Sequence, residues 1–177
     1  MPRALIVCGS ARPDGVTMCM CTSAGEHLAS LGYDVETVLP HTMDLRHCTD
    51  CGACAGGPCV IDDGMDRVYG LFRDADLLIL ASPVHFSGPS SLIKTLMDRF
   101  QPYWYDRGLP HPAGAVALLC GGGPEPRFGN TVSIFRAFSI TTRMDWLGHM
   151  EFPDTDRVGS DGAPEAVRSF LDSVLRP

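Results

Sequence analysis

The sequence predicts a flavodoxin-like three-layer α/β fold, built on a five-stranded parallel sheet in the order 2-1-3-4-5. Three observations carry this. Short continuous apolar runs recur along the chain, as suits strands buried on both faces. Segments of helical period alternate with them, which implies parallel strands joined by crossover helices. The 177 residues are 45% hydrophobic and 20% charged, which suits one folded domain over residues 1–177 and excludes a disordered chain.

The elements follow in order. Arg3–Gly9 is an apolar run closed by glycine, the first strand. Val16–Leu31 is a helix with Gly32 as its C-terminal cap. Tyr33–Leu39 alternates in polarity and forms the second strand. Residues 40–65 then hold a stretch rich in Cys, Gly and Asp without any period, read as a functional insert. Met65–Asp74 is a short helix whose Val68, Leu71 and Phe72 face the core. Asp76–Ala81 is the strongest strand, and Ser90–Phe100 a helix with an apolar stripe from Leu92 to Phe100. Ala115–Cys120 is the fourth strand, Asn130–Thr142 a helix, Trp146–Phe152 the fifth strand and Pro164–Leu175 the closing helix.

Fourteen basic against twenty-one acidic side chains leave a net charge of −7, which argues against a nucleic-acid partner. No apolar run approaches the roughly 20 residues of a membrane span, so no membrane partner is expected. The start, Met-Pro-Arg, enters a strand directly without a signal-peptide pattern, and a cytoplasmic protein is expected.

In a sheet of this type, ligands bind outside the carboxyl ends of the strands. Three loops leave those ends with distinctive composition. Gly9–Thr17 joins strand to helix; its glycines free backbone N–H groups, Ser10 and Thr17 add hydroxyls, and Arg12 adds a fork suited to a phosphate monoester. It lacks both the dinucleotide glycine pattern and the Gly-Lys-Ser/Thr of nucleotide loops. An ordinary turn capping a helix is the alternative. Ser82–Pro89 offers Val84, His85 and Phe86 for contact with a planar heterocycle, unless Phe86 belongs to the core. Gly121–Gly123 has no side chains to hinder a ring edge.

Eight cysteines in an intracellular chain call for a reading other than disulfides. Four of them, Cys48, Cys51, Cys54 and Cys59, fall in the insert. Cys-x2-Cys-x2-Cys sets three thiolates on one tight turn, the arrangement used for cubane clusters, with Cys59 able to supply the fourth ligand. Zinc on two ligand pairs is less natural, and free thiols are the third reading. Cys8, Cys19, Cys21 and Cys120 read as core residues. His27, His41, His47, His111 and His149 show no paired acid or ligand spacing. The aromatic segment Phe100–Tyr105 is either an interface or a lid on the core.

Gly-Ser-x-Arg-x-x-Gly-x-Thr after the first strand, Ser82-Pro-Val-His-Phe after the third and Leu92–Arg99 in the next helix resemble the NADPH-dependent FMN reductase family. The cysteine run followed by Val60-Ile-Asp-Asp-Gly-Met65 is similar to that family's iron–sulfur flavoprotein branch. The resemblance covers most of the chain to about residue 130. It implies FMN, with Ser10, Arg12, Gly15, Val16 and Thr17 on the phosphate. Pro83, Val84, His85, Phe86, Ser87 and Gly88, with Gly121, Gly122 and Gly123, would hold the isoalloxazine. It implies a [4Fe–4S] cluster on Cys48, Cys51, Cys54 and Cys59, and no catalytic acid or base. Two departures stand out: His85 occupies a place often taken by Tyr or Trp, and Gly64 interrupts the Asp-Asp-Met run.

The expected function is then that of a flavin-dependent oxidoreductase. Electrons would pass through cluster and FMN from ferredoxin or NAD(P)H to a small-molecule acceptor, in a homodimer or homotetramer. The rivals are an NAD(P)H-dependent FMN or quinone reductase without a cluster, and a flavodoxin-type electron carrier.

Overall fold

The computed structural model describes residues 1–175. In chain order its elements are β1 (Arg3–Cys8), α1 (Val16–Ser30), β2 (Asp34–Val38), α2 (Met65–Asp74), β3 (Leu77–His85), β4 (Gly88–Pro89), α3 (Ser91–Asp98), α4 (Pro102–Tyr105), β5 (Gly114–Cys120), α5 (Gly129–Thr142), β6 (Asp145–Phe152), α6 (Thr155–Val158) and α7 (Ala163–Val174). The parallel strands run β2-β1-β3-β5-β6, and β4 folds back antiparallel on β3. Without that short extra strand, the order is the expected 2-1-3-4-5.

Alternation along the strands divides the core into two layers. Leu5, Val7, Leu78, Leu80, Ala117 and Leu119 meet Val68 and Phe72 of α2, Ile93 and Leu96 of α3 and Phe135 of α5. Ala4, Ile6, Leu77, Ile79, Val116 and Leu118 meet Met20, Ala24 and Leu28 of α1 and Val167 and Leu171 of α7. With both faces covered, the central strands carry no alternating polar positions, which is why they read as continuous apolar runs.

The helix ends follow local chemistry. At the end of α1, Gly32 takes φ +87°. Its N–H donates to the Ala29 carbonyl and the Tyr33 N–H to that of Leu28, both at 3.0 Å, a Schellman closure. The Ser90 hydroxyl accepts the Ile93 N–H at 3.4 Å and caps α3. In β6 the register slips by one between Trp146 and Gly148, leaving Leu147 as a bulge. Gly114 makes room for it, since a Cβ there would stand 2.7 Å from Leu147 Cδ1.

Three expectations change. The strand read as ending at Ala81 continues to His85, so most of the Ser82–Pro89 loop is a β-hairpin. The aromatic segment divides: Phe100 and Tyr103 are buried among Phe72 and Phe138, while Trp104 and Tyr105 are exposed. The insert holds two 3-10 turns, Pro40–Thr42 and Ala53–Ala55. Among the described residues, no helix is long and apolar enough to cross a membrane.

Candidate functional site

The loop after β1 leaves helix donors free. Gly15 is the N-cap of α1, and no side chain caps the first turn. The N–H groups at the start of such a helix have no intrahelical acceptor and carry the positive end of its dipole. Ser10 Oγ accepts the Arg12 N–H at 3.2 Å, and Gly15 N–H donates to the Arg12 carbonyl at 3.2 Å. The Ser10 hydroxyl proton therefore stays available. Arg12 is exposed and forms no ion pair among the described residues. A free helix N-terminus, a free hydroxyl and a free guanidinium are the kind of donors from which a phosphate monoester can accept.

The second loop is held against the first. Gly9 N–H donates to the Ala81 carbonyl at 2.7 Å, and a Cβ on Gly9 would come within 2.8 Å of Ser90 Oγ. Fully buried Ser82 accepts the Ser90 N–H at 3.0 Å and donates to the Pro83 carbonyl at 2.8 Å, closing the base of the hairpin. Its turn is Phe86–Ser87, with φ +50° and +63°, the pair of positive φ angles that a type I′ turn requires. Thr131 of α5 donates to the Ser87 carbonyl at 3.4 Å. The turn throws Phe86 wholly into solvent, so it is not a core residue. Val84 packs partly against the core, and His85 is exposed beside Phe86.

The glycine loop joins the same corner. Thr17, 2% exposed, lies with Oγ1 3.2 Å from Cys120 Sγ at the end of β5. Only Gly123 is open: a Cβ on Gly121 would meet Pro126 at 2.4 Å, and one on Gly122 the Asp156 carboxylate at 2.6 Å. The three carbonyls accept N–H groups from Thr155, Asp156 and Asp154. Two of these glycines thus serve close packing of the chain against itself.

The insert is pinned by an ion pair that its charges alone do not reveal. Arg99, just beyond α3 and 2% exposed, reaches Asp63 with Nη1 to Oδ2 at 2.6 Å and Nη2 to Oδ1 at 3.1 Å. It also donates to the carbonyls of Arg46 at 2.8 Å and Ile61 at 3.3 Å. Asp63 further accepts the N–H groups of Arg46 at 2.9 Å and Met65 at 3.0 Å. Burial pushes the Asp63 carboxyl up, but Arg99 and the two backbone donors outweigh it and hold it at about 2. Tyr69 of α2 donates to the Arg99 carbonyl, tying in a third segment. Gly64 allows a close pass: its N–H meets the Asp44 carbonyl at 2.8 Å, where a Cβ would stand only 3.1 Å from that oxygen.

Cys48, Cys51, Cys54 and Cys59 all line one cavity, together with Arg99, Gln101 and Tyr105. Cys51 is exposed and the other three half-buried. Burial pushes the Cys54 thiol up, and Cys59, Cys48 and Cys51 add to the shift. Among the described residues, no three His, Cys, Asp or Glu side chains close to the spacing of a single ion. A second cavity of about 670 Å³ opens beside it, between Cys54–Cys59, Tyr69 and Arg73 of α2, and Tyr103 and Tyr105. No residue of the three strand-end loops lines either cavity.

One further reading is corrected. His27 does have an acid: its Nε2 lies 2.9 Å from Asp172 Oδ1 of α7, and His149 Nε2 lies 3.3 Å from Glu151. The first pairing spans 145 residues and leaves no local signal. Cys8 and Cys21 are buried, as expected of core residues; hydrogen bonding from Cys21 draws Cys8 down to about 7, while Cys21 is pushed up.

Residues 2–134 match the NADPH-dependent FMN reductase family. An iron–sulfur flavoprotein of Archaeoglobus fulgidus is 33% identical over 141 residues, 78% of this chain but 64% of that protein, so the chain spans under two thirds of that relative. An iron–sulfur flavoprotein of Methanocaldococcus jannaschii is 34% identical over 138 residues, 76% of this chain and 72% of that one. In fold, the chain is similar to an FMN-dependent NADH-azoreductase from Bacillus anthracis in complex with FMN. The TM-score is 0.72 at 13% identity, covering 98% of this chain and all of the other. The apo form of an NADH:FMN oxidoreductase aligns at TM-score 0.64 and 16% identity, over 100% and 92% of the two chains.

Proposed function

The chain belongs to the NADPH-dependent FMN reductase family, and on that premise we propose that it is an FMN-dependent oxidoreductase with a [4Fe–4S] cluster as its second redox centre. It would take reducing equivalents from ferredoxin or NAD(P)H and deliver them to a small-molecule acceptor. When bound, FMN supplies both hydride and single-electron chemistry, and a cubane supplies single-electron transfer.

The residues suit both groups. Ser10, Arg12 and Thr17, with the free N–H groups that open α1 at Gly15 and Val16, would hold the phosphate. Pro83–Gly88 and Gly121–Gly123 border the same corner and would position the flavin ring. Cys48, Cys51, Cys54 and Cys59 would ligate the cluster. Four thiols on one cavity wall are the donor set that a cubane takes. The observation that carries the reading is that shared cavity, in a chain that also keeps an uncapped helix behind a phosphate-type loop. The strand-end loops line neither cavity at the cysteine insert, and the family resemblance implies a homo-oligomer in which the centres of different subunits approach.

The test is stopped-flow bleaching of the flavin with each donor. Cys54→Ala should keep FMN and its reduction by NAD(P)H while losing reduction by ferredoxin. Equal rates with ferredoxin in variant and parent would leave an FMN or quinone reductase without a redox role for the cysteines.

A further inference from the structure

Arg99 carries five N–H donors in a planar fork. Four are placed: Nη1 serves Arg46 O and Asp63 Oδ2, and Nη2 serves Ile61 O and Asp63 Oδ1. The fifth, on Nε, is buried and has no hydrogen-bond partner. An orphaned donor inside a protein costs free energy unless something accepts it. Arg99 and Cys59 belong to the same cavity wall, which carries all four insert cysteines.

We propose that Arg99 is the positioning residue of this site: its Nε–H donates to the Cys59 sulfur, orients that ligand and raises the reduction potential of the bound cluster. The proposal rests on the cluster reading of the four cysteines. A thiolate that ligates iron is a stronger acceptor than a thiol, so the missing partner is supplied when the cluster is in place. A donor to a ligating sulfur draws off charge and favours the reduced, more negative state. Asp63 neutralises the guanidinium at close range, so the bond to sulfur acts more than the net charge does. The same four remaining bonds fix the fork, leaving Nε no freedom to turn away.

The experiment is anaerobic reconstitution followed by potentiometric titration, with the cluster followed by EPR and the flavin by absorbance. Arg99→Lys keeps the charge but loses the fork. It should shift the cluster equilibrium about tenfold towards the oxidised form, 59 mV for one electron, and leave the FMN potential in place. Asp63→Asn keeps the Nε donor and uncovers a positive charge, so it should move the cluster the other way. A purely structural pin predicts the same direction for both variants and would overturn the assignment. An unchanged potential in Arg99→Lys overturns it alone; a parent protein that takes up no cluster overturns the cluster reading with it. If Arg99→Lys does not fold, the parent protein labelled with ¹⁵N-arginine decides. Pulsed EPR of its reduced cluster should show coupling to one arginine nitrogen and to a proton exchangeable in D2O, and neither coupling being present rejects the proposal.

Discussion

Asp63 and Arg99, 36 positions apart in sequence, meet as a doubly hydrogen-bonded ion pair whose side chains are 0% and 1% exposed. The carboxyl sits at about 2 in the folded protein, against an ordinary 3.8. The unfolded chain therefore takes up a proton that the folded protein refuses until lower pH. The stability this contributes is complete above about pH 4 and is lost as pH falls through about 2, on the order of 2 kcal/mol in all. Denaturant unfolding between pH 2 and 5 should show the loss, and Asp63→Asn should flatten it. An unchanged slope in that variant would assign the acid sensitivity to other carboxylates.

Arg12 has no ion-pair partner among the described residues, so removing it should leave the fold alone. Arg12→Ala should weaken FMN binding by about 1–3 kcal/mol, the scale of a charge-assisted hydrogen bond. Riboflavin, without the phosphate, should bind parent and variant alike. Fluorescence titration with both flavins separates a phosphate site from a simple turn.

The hairpin turn holds Phe86 and Ser87 at positive φ, where Asn and Gly are preferred. Such conformations cost about 1–3 kcal/mol each in a non-glycine residue. Replacing the pair by Asn-Gly should raise the melting temperature. If the exposed ring is kept for contact with the flavin, the same change should lower FMN affinity. A gain in stability with no loss of affinity would make Phe86 incidental to the site.

Iron and sulfide analysis after anaerobic reconstitution should give about four of each per chain, the content of one cubane. Cys51→Ala and Cys54→Ala should each abolish it. Stoichiometric zinc in place of iron would favour the mononuclear reading.

Gly121 is a packing position. A Cβ there would stand 2.4 Å from Pro126, so Gly121→Ala should destabilise the protein by about 1–3 kcal/mol, as overpacking does. Thermal melts test this. Gly123→Ala, with nothing within 4 Å, should melt like the parent.

Much of the frame is legible because burial leaves a one-dimensional trace. Apart from Arg3 in β1 and Ser82 and His85 in β3, the runs that form β1, β3 and β5 are apolar, and the spacing of Val68, Leu71 and Phe72 marks α2 with the bounds it has, Met65–Asp74. What escaped was non-local or locally contradictory. Pro83 within β3 argues against a strand, yet it sits at the last parallel pairing, opposite Cys120, where the ladder ends. Phe86–Ser87 lacks the glycine or asparagine that usually announces a hairpin turn. Arg99 closes a run that reads as an amphipathic helix, and Asp63 lies in a polar loop, so each alone looks like solvated charge. Of the three strand-end loops, Gly9–Thr17 and Gly121–Gly129 leave strand ends as their composition suggests, whereas most of Ser82–Pro89 is a hairpin, and the tight packing of Gly121 and Gly122 depends on Pro126 and Asp156, which no spacing rule connects.

The two ends of the cysteine insert touch: Gly64 donates its N–H to Asp44 at 2.8 Å, next to where β2 hands over and α2 begins. Residues 45–63 thus leave and rejoin the frame at a single point. A chain deleted between Asp44 and Gly64 needs only a short turn to rejoin β2 to α2, and closing so small a gap costs little loop entropy, but it strips the buried Arg99 of Asp63. The segment and the frame are therefore coupled through one charge: the loop can be lost only together with Arg99, which Asp63 neutralises from within it.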